Sequence, residues 1–295
     1  MDALFTGCIT EIVTPFTAGQ FDEASFRDLL EWQIESGIDG IVPAAAAGEG
    51  ASLSPAEQRR VLQACVDCTK GRVPVLASTG SNSTAQAICL ASDAFDLGAD
   101  GHLVAVPYYN KPQQEGLFQH FKAIHDAIRM PMVIDNTPAR SATDLSLDTI
   151  KRLCNLEFVV GIKEGSGDLA RTLVRRNTID RDIVHLCGDD WLTVASMAHG
   201  SRGSISTLAN VAPRACAMVT HACLEGDFPG ALRIQDGLVG LLTEFSKDPT
   251  PATIKCALNL MRNYPDELRL PGLCLNEDDQ SRLAAKLGAC VTIHG

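Results

Sequence analysis

The feature that most constrains this fold is a regular alternation between short apolar segments and longer amphipathic ones. Eight short segments are rich in β-branched residues, and between them apolar residues recur with the spacing of a helix, as at Pro55 to Thr69, Leu147 to Cys154 and Trp191 to Ala198. The short segments are Cys8 to Val13, Gly40 to Pro43, Val73 to Ala77, His102 to Val106, Met132 to Ile134, Phe158 to Lys163, Ile183 to Cys187 and Gly203 to Ser206. Strands that are apolar over nearly their whole length, with helices between them, indicate a parallel sheet that is buried on both faces.

Eight strand and helix units predict an α/β protein with a (β/α)8 TIM barrel. A doubly wound open sheet is the main alternative, but the first strand-to-helix turn lacks the Gly-x-Gly-x-x-Gly pattern of such sheets. After about Leu208 the pattern changes to successive helices, at Pro213 to Leu224, Phe228 to Phe245, Pro251 to Arg262 and Glu277 to Leu287. We therefore expect a barrel over residues 1–225 and a C-terminal helical extension over residues 226–295 that packs on it.

Charge and composition favour a small molecule as the ligand. The formal net charge of −11 disfavours binding to nucleic acid or to an anionic membrane, because such surfaces need clustered Lys and Arg. The N-terminus lacks the basic and apolar regions of a signal peptide, and no stretch reaches the roughly 18 apolar residues of a membrane span. We expect a cytoplasmic protein that binds neither nucleic acid nor membrane, with its 11 scattered cysteines reduced.

The sequence predicts neither a metal nor an organic cofactor. The seven histidines show no His-Glu-x-x-His or comparable spacing. Asp135 and Glu49 are the carboxylates that we place at predicted strand ends, which is too few for a divalent metal. The glycine pairs Gly48/Gly50 and Gly165/Gly167 suit a bound anion, but turn formation explains them more simply.

Lys163 is the most informative single residue. It closes the apolar run from Phe158 and is followed by the Gly-rich turn Glu164-Gly165-Ser166-Gly167-Asp168. In barrels the chemistry gathers at the carboxyl ends of the strands. Burial lowers the pKa of an ammonium group, and the neutral amine can attack a carbonyl to form a Schiff base. A solvated lysine that merely ends a strand is the ordinary alternative, and this segment alone does not decide between the two.

Four motifs stand in a fixed order along the chain. They are Gly48-Glu49 with Ala51-Ser52-Leu53-Ser54, Pro107-Tyr108-Tyr109-Asn110-Lys111-Pro112 with Glu115-Gly116-Leu117, Asn136-Thr137-Pro138-Ala139-Arg140, and Gly161-Ile162-Lys163-Glu164. Together they resemble the dihydrodipicolinate synthase and N-acetylneuraminate lyase family, class I aldolases and lyases on a (β/α)8 barrel that bind pyruvate as a Schiff base. The similarity extends from Phe5 to about Pro271 and is nearest to the dihydrodipicolinate synthase branch.

The resemblance implies roles for three residues. Lys163 is the Schiff-base lysine, Tyr109 reaches across a dimer interface into the partner's site, and Arg140 holds a carboxylate of the second substrate. The resemblance also implies pyruvate or another 2-oxo acid as the ligand and a homotetramer built as a dimer of dimers. Each residue keeps an ordinary interpretation as well, with Arg140 as a surface charge and Tyr109 as a packing residue at a subunit contact.

Three positions depart from the family pattern. The family has two threonines where Ala46 and Ala47 stand and a catalytic tyrosine where Asp135 stands, so only Tyr109 of the proton relay remains. Losing one relay member removes a factor of roughly 10² to 10⁴ from acid and base catalysis. Asp135 can instead pair with the iminium or act as a base. We expect Schiff-base formation to be retained and true 4-hydroxy-tetrahydrodipicolinate synthase activity to be weak, absent or replaced, the alternative being a non-catalytic 2-oxo-acid-binding or regulatory protein.

Substrate binding does not depend on the missing hydroxyls alone. The carboxylate of a 2-oxo acid is expected to bind backbone N–H groups of the Ala46-Ala47-Gly48 turn. Gly188 and Ser206 follow or end the last two predicted strands, and with Arg140 they complete the expected binding set.

Lysine is a feedback inhibitor of some members of this family. Those members have a glutamate where Gln86 stands, whereas Asn82 and Tyr108 match their pattern. A neutral amide cannot compensate an ammonium charge as a carboxylate does. We therefore expect weak inhibition by lysine.

Overall fold

The computed structural model describes residues 4–247 and 251–294, with backbone alone for 288–294. Over these residues eight parallel strands form one sheet, and two short strands form an antiparallel pair. The strands are β1 (Gly7–Glu11), β2 (Phe16–Thr17), β3 (Gln20–Phe21), β4 (Gly40–Val42), β5 (Leu76–Ser78), β6 (Gly101–Ala105), β7 (Met132–Asn136), β8 (Val159–Glu164), β9 (Val184–Cys187) and β10 (Gly203–Ser206).

Neighbouring strands of the large sheet follow the order β4, β1, β10, β9, β8, β7, β6, β5. A bridge between Ile41 on β4 and Val75, just before β5, closes the sheet into a barrel. The predicted (β/α)8 TIM barrel is thereby confirmed. The pair of β2 and β3 was not predicted, because strands of two residues are too short to show a periodicity.

Local sequence chemistry sets many of the helix ends. The helices of the described chain are α1 (Glu23–Glu35), α2 (Pro55–Thr69), α3 (Thr84–Asp96), α4 (Gln114–Ala127), α5 (Pro138–Ser141), α6 (Leu147–Cys154), α7 (Leu169–Thr178), α8 (Thr193–Ala198), α9 (Pro213–Leu224), α10 (Phe228–Phe245), α11 (Pro251–Arg262) and α12 (Glu277–His294). At the start of α2, the Ser54 hydroxyl accepts the Glu57 N–H and the Glu57 carboxylate accepts the Ser54 N–H. Pro55 suits the first helical position because its missing N–H has no partner there.

Alternation along the strands sends every second side chain into the barrel. Ile9, Val133 and Ile205 belong to a buried apolar cluster in the barrel interior. The other buried members are Phe5, Val42, Leu76, Leu103, Val184 and Leu186. Two residues beyond Ile9 and Val133, on the same faces of their strands, stand Glu11 and Asp135. The strands therefore change from apolar to charged interior side chains as they approach their carboxyl ends.

The C-terminal helices share a core with the barrel. One buried apolar cluster joins Phe26 and Ile41 to Leu238 and Leu241 of α10 and to Leu283 of α12. The boundary proposed between residues 225 and 226 stays a prediction. Among the helices in the described ranges, none combines the length and the hydropathy needed to cross a membrane.

Candidate active site

Lys163 is the centre of a buried group of three charged side chains at the carboxyl end of the barrel. Its Nζ donates to Glu11 Oε2 at 3.1 Å and to Asp135 Oδ2 at 3.3 Å. Asp135 on β7 is the register neighbour of Lys163 on β8, whereas Glu11 approaches from β1, across the barrel. Lys163 is 6% exposed and Glu11 is 3% exposed, so the ion pairs are shielded from solvent.

The two carboxylates determine the charge state of Lys163. Burial opposes its ammonium form, but the charges of Asp135 and Glu11 outweigh burial and raise the pKa of Lys163 above its ordinary value. Burial also opposes the ionised form of Glu11, but the charge of Lys163 and the N–H of Ala47 lower the pKa of that carboxyl. Burial acts on the pKa of Lys163 in the expected direction, but the expectation of a lowered pKa is wrong, because two anions face the amine. The resting site holds an ammonium between carboxylates.

Glu11 was not among the residues predicted for the site. It lies inside the predicted strand segment Cys8 to Val13 and was therefore not counted as a strand end, whereas the strand in the structure ends at Glu11 itself. Its second oxygen, Oε1, accepts the Ala47 N–H at 2.8 Å. A carboxylate in an otherwise apolar strand is the signal that identifies it, since a buried charge is costly unless it is paired.

A cavity of about 220 Å³ opens onto Lys163. Glu11, Ala47 and Gly188 line it from the barrel. The C-terminal helices and the residues at their ends contribute Leu242, Phe245, Ser246, Pro251, Thr253 and Ile254. Gly188 leaves room for the lysine, because a Cβ there would lie 3.0 Å from Lys163 Cε and 3.0 Å from the carbonyl oxygen of Glu164. The volume suits a small carbonyl compound and is below the usual range for drug-sized ligands.

Another cavity, of about 270 Å³, is lined by Asp135. Thr137 and Arg140 line both cavities, so the two spaces are adjacent. The Thr137 hydroxyl donates to Asp135 Oδ1 at 2.6 Å, and Oδ2 is the oxygen that faces Lys163. Asp135 is thus positioned between the amine and the second space, where it can exchange a proton with either.

Most of the predicted site residues line one or both of these cavities. Lys163, Ala47, Gly188 and Arg140 line the smaller one. Asp135, Ala46 and Arg140 line the larger one. The structure therefore brings most of the predicted set to one end of the barrel, around the boundary between the two spaces.

Three predicted residues are not among the described side chains that line either cavity. Ser206 is buried and its hydroxyl accepts the Ala209 N–H at 3.0 Å. It faces away from Lys163 because its neighbour Ile205 points into the barrel, and strand side chains alternate. Gly48 shapes the turn, where its carbonyl accepts the Thr14 hydroxyl at 2.7 Å. Tyr109 is 89% exposed on the surface of the single chain.

Two other acidic residues near the strand ends are engaged in ion pairs. Glu164, which follows Lys163, pairs with the buried Arg175. Glu49, considered above as a metal ligand, pairs with Lys255, which is itself fully buried. Breaking a buried pair costs about 3–5 kcal/mol, so these carboxylates hold the framework of the site together.

A barrel that encloses a strand-end lysine beside a small cavity has the architecture of a class I aldolase, a lyase that uses a lysine amine as its nucleophile. Residues 4–290 match the model of the dihydrodipicolinate synthetase family. The chain belongs to the dihydrodipicolinate synthetase family, and the resemblance seen in its motifs is confirmed.

Several relatives show how close this kinship is. A 4-hydroxy-tetrahydrodipicolinate synthase of Afipia carboxidovorans is 47% identical over 273 residues, which cover 92% of each chain. The structure of 4-hydroxy-tetrahydrodipicolinate synthase from Methylacidiphilum fumariolicum matches with a TM-score of 0.95 at 36% identity, over 98% of this chain and 96% of that one. The dihydrodipicolinate synthase of Acinetobacter baumannii, solved in complex with pyruvate, matches with a TM-score of 0.94 at 36% identity, over 97% of this chain and 99% of that one.

Proposed function

We propose that this protein captures pyruvate or a related 2-oxo acid as a Schiff base on Lys163 and acts on it as a lyase or aldolase. The observation that carries the proposal is a buried lysine that lies between Glu11 and Asp135 and faces a small cavity. The pyruvate complex of the Acinetobacter baumannii relative supports this class of ligand.

The three charged side chains supply what the chemistry needs. The ammonium of Lys163 passes a proton to Asp135 or Glu11, and the neutral amine attacks the carbonyl carbon to form a carbinolamine. The carboxylic acid returns its proton to the departing oxygen, which leaves as water. The product is an iminium with the same positive charge that the ammonium carried, so both carboxylates remain paired.

We infer that 4-hydroxy-tetrahydrodipicolinate synthesis by this chain is weak, absent or replaced by another reaction. Ala46 and Ala47 offer no hydroxyl, and Asp135 stands where the family carries its catalytic tyrosine. Asp135 pairs with the Lys163 ammonium as a charged group, whereas a tyrosine hydroxyl is a neutral group that passes protons onward. These differences lie in the residues that handle protons in the condensation.

The family assembly is part of the proposal. We infer a homotetramer, a dimer of dimers, in which the exposed Tyr109 of one chain enters the site of its partner. An aromatic side chain that is 89% exposed in one chain is suited to an interface, because burying it removes apolar surface from water. Arg140, which lines both cavities, is the group suited to a second carboxylate.

Trapping the Schiff base tests this function directly. The protein is incubated with a high concentration of pyruvate and borohydride, and the adduct is located by peptide mass spectrometry. We expect it on Lys163 in the wild type and in Lys122→Ala, an exposed-lysine control, but not in Lys163→Ala. Absence of any adduct on Lys163 would show that the lysine is not the nucleophile.

A second readout separates an enzyme from a binding protein. An imine of pyruvate interconverts with its enamine, which exchanges the methyl protons with deuterated water. We expect exchange with the wild type and none with Lys163→Ala, followed by nuclear magnetic resonance. An adduct that forms without exchange or turnover would favour the non-catalytic alternative.

A further inference from the structure

A carboxylate of the protein already accepts a hydrogen bond from the backbone amide that was expected to bind a substrate carboxylate. Glu11 Oε1 accepts the Ala47 N–H at 2.8 Å, and Glu11 Oε2 lies 3.1 Å from Lys163 Nζ. Glu11 is 3% exposed and lines the same cavity as Ala47 and Lys163. Its side chain therefore bridges the turn amide and the nucleophile.

That bridge has the geometry of a 2-oxo acid bound to the lysine. In an imine of such an acid, the carboxylate is attached to the carbon bonded to Nζ, so ordinary bond lengths place its oxygens about 3 Å from Nζ. Glu11 holds its oxygen at 3.1 Å from the same atom. A substrate carboxylate and the Glu11 carboxylate cannot occupy this position together.

We propose that Glu11 is a specificity-determining residue that holds the position of a substrate carboxylate, so that a 2-oxo acid must displace Glu11 from the Ala47 amide, whereas an aldehyde or an uncharged ketone reaches Lys163 without this displacement. The proposal rests on the proposed Schiff-base chemistry of Lys163 and deepens it, because it orders the carbonyl compounds that the lysine captures. Pyruvate then binds only when Glu11 is protonated or displaced.

The charges around the cavity also disfavour a substrate carboxylate next to Lys163. Among its described lining residues the cations are Lys163 and Arg140, and the anions are Glu11, Asp189 and Asp190. Asp135, beside Lys163, adds a further negative charge. A carboxylate on the reacting carbon would come within a few ångströms of Glu11 and Asp135, where a like charge disfavours the ionised form.

Pyruvate and pyruvamide form a matched pair of probes. Both carry the same keto group, and they differ in a carboxylate against an uncharged carboxamide of almost the same shape. The measurement is the ratio of the rates at which borohydride fixes the two compounds on Lys163. A change in the reactivity of the amine alters both rates alike and cancels in this ratio.

We expect the wild type to capture pyruvamide faster than pyruvate. Glu11→Gln removes the charge, Glu11→Ala opens the position, and both should move the ratio toward pyruvate by roughly 10- to 1,000-fold, the range that a nearby like charge produces. Asp135→Asn is the control, since it removes the other carboxylate of Lys163 and leaves the Ala47 amide with Glu11. It should change both rates but shift the ratio less than either Glu11 variant does, because only Glu11 holds the Ala47 amide.

An equal ratio in the wild type and both Glu11 variants would overturn the proposal, as would a wild type that prefers pyruvate. If neither probe forms an adduct, the Schiff-base function fails. The role of Glu11 is then tested separately, by measuring with calorimetry how tightly pyruvate binds to Lys163→Ala and to the double variant Lys163→Ala with Glu11→Ala. Tighter binding in the double variant supports the assigned role of Glu11, and equal binding refutes it.

Discussion

Asp135→Asn removes one of the two negative charges that face Lys163 while preserving the shape of the side chain. Asp135 Oδ2 lies 3.3 Å from Nζ and Glu11 Oε2 lies 3.1 Å from it, so the two carboxylates act from nearly equal distances. Thr137 donates to Asp135 Oδ1, and asparagine retains an oxygen that accepts this bond. The substitution therefore isolates the effect of charge.

We expect the pKa of Lys163 to fall by roughly one to three pH units, the shift that a single opposite charge at this distance produces. Two charges 3.3 Å apart interact by about 5 kcal/mol at an effective dielectric constant near 20, and each pKa unit corresponds to about 1.4 kcal/mol. This Coulomb energy is an upper limit on the shift of the Lys163 pKa, and the limit lies close to the upper end of the expected one to three units. Since Glu11 still pairs with the ammonium, the loss of folding stability should stay below the roughly 3–5 kcal/mol of a fully broken buried pair.

The assay is the rate at which borohydride fixes pyruvamide on Lys163 between about pH 7 and pH 10.5, the ordinary lysine value. Only the neutral amine attacks, so the rate should rise with pH in both proteins, and at each pH the neutral fraction in Asp135→Asn should exceed that of the wild type by roughly 10- to 1,000-fold. Asp126→Asn, which neutralises an exposed carboxylate paired with Lys122, should follow the wild type. Identical pH profiles for Asp135→Asn and the wild type would refute control of the amine by this carboxylate.

Three further outcomes follow from the geometry. Gly188→Ala, whose Cβ would crowd Lys163 Cε at 3.0 Å, should slow adduct formation roughly 10²-fold and lower the free energy of unfolding by about 1–3 kcal/mol. The double variant Ala46→Thr with Asp135→Tyr should raise the rate of condensation of pyruvate with aspartate semialdehyde only when Glu11→Ala is added. No increase in this rate in the triple variant would indicate a pocket rebuilt for another substrate. Lysine titration should inhibit wild-type adduct formation only weakly and Gln86→Glu more strongly, and tight inhibition of the wild type would contradict this.

Local signals explain how much of the fold could be predicted. The bounds of α2 and α6 agree with the sequence to the residue, because Ser54 and Ser146 accept backbone N–H groups of the first helical turn. α8 begins later than expected, at Thr193, because Asp189 accepts the Trp191 N–H and the chain forms a 3₁₀ turn first. Irregular turns of this kind depend on single side chains and leave no periodic pattern.

The site was predictable only in part, since its groups converge through the barrel. Asp135 and Lys163 lie on neighbouring strands, so their strand-end positions sufficed to bring them together. Glu11 is 152 residues from Lys163 in sequence, and only closure of the barrel reveals their contact. Ser206 failed to reach the cavity for a different reason, because a list of strand ends ignores which face each side chain occupies.

In the proposed chemistry, the arrangement around Lys163 lets the amine react without a relay of hydroxyl groups. Two carboxylates that face Nζ stabilise the ammonium and the iminium alike, and binding two states equally does not lower the barrier between them. The rate must therefore depend on the neutral amine between those states. Moving the proton from Nζ to Asp135 or Glu11 keeps the total charge of the three groups constant, and both carboxylates are ionised again once that proton has been returned to the departing oxygen. In the proposed chemistry, one of the two carboxylates is thus the base for Lys163 and both are counter-ions of the iminium, while Glu11 competes with the carboxylate of an incoming 2-oxo acid.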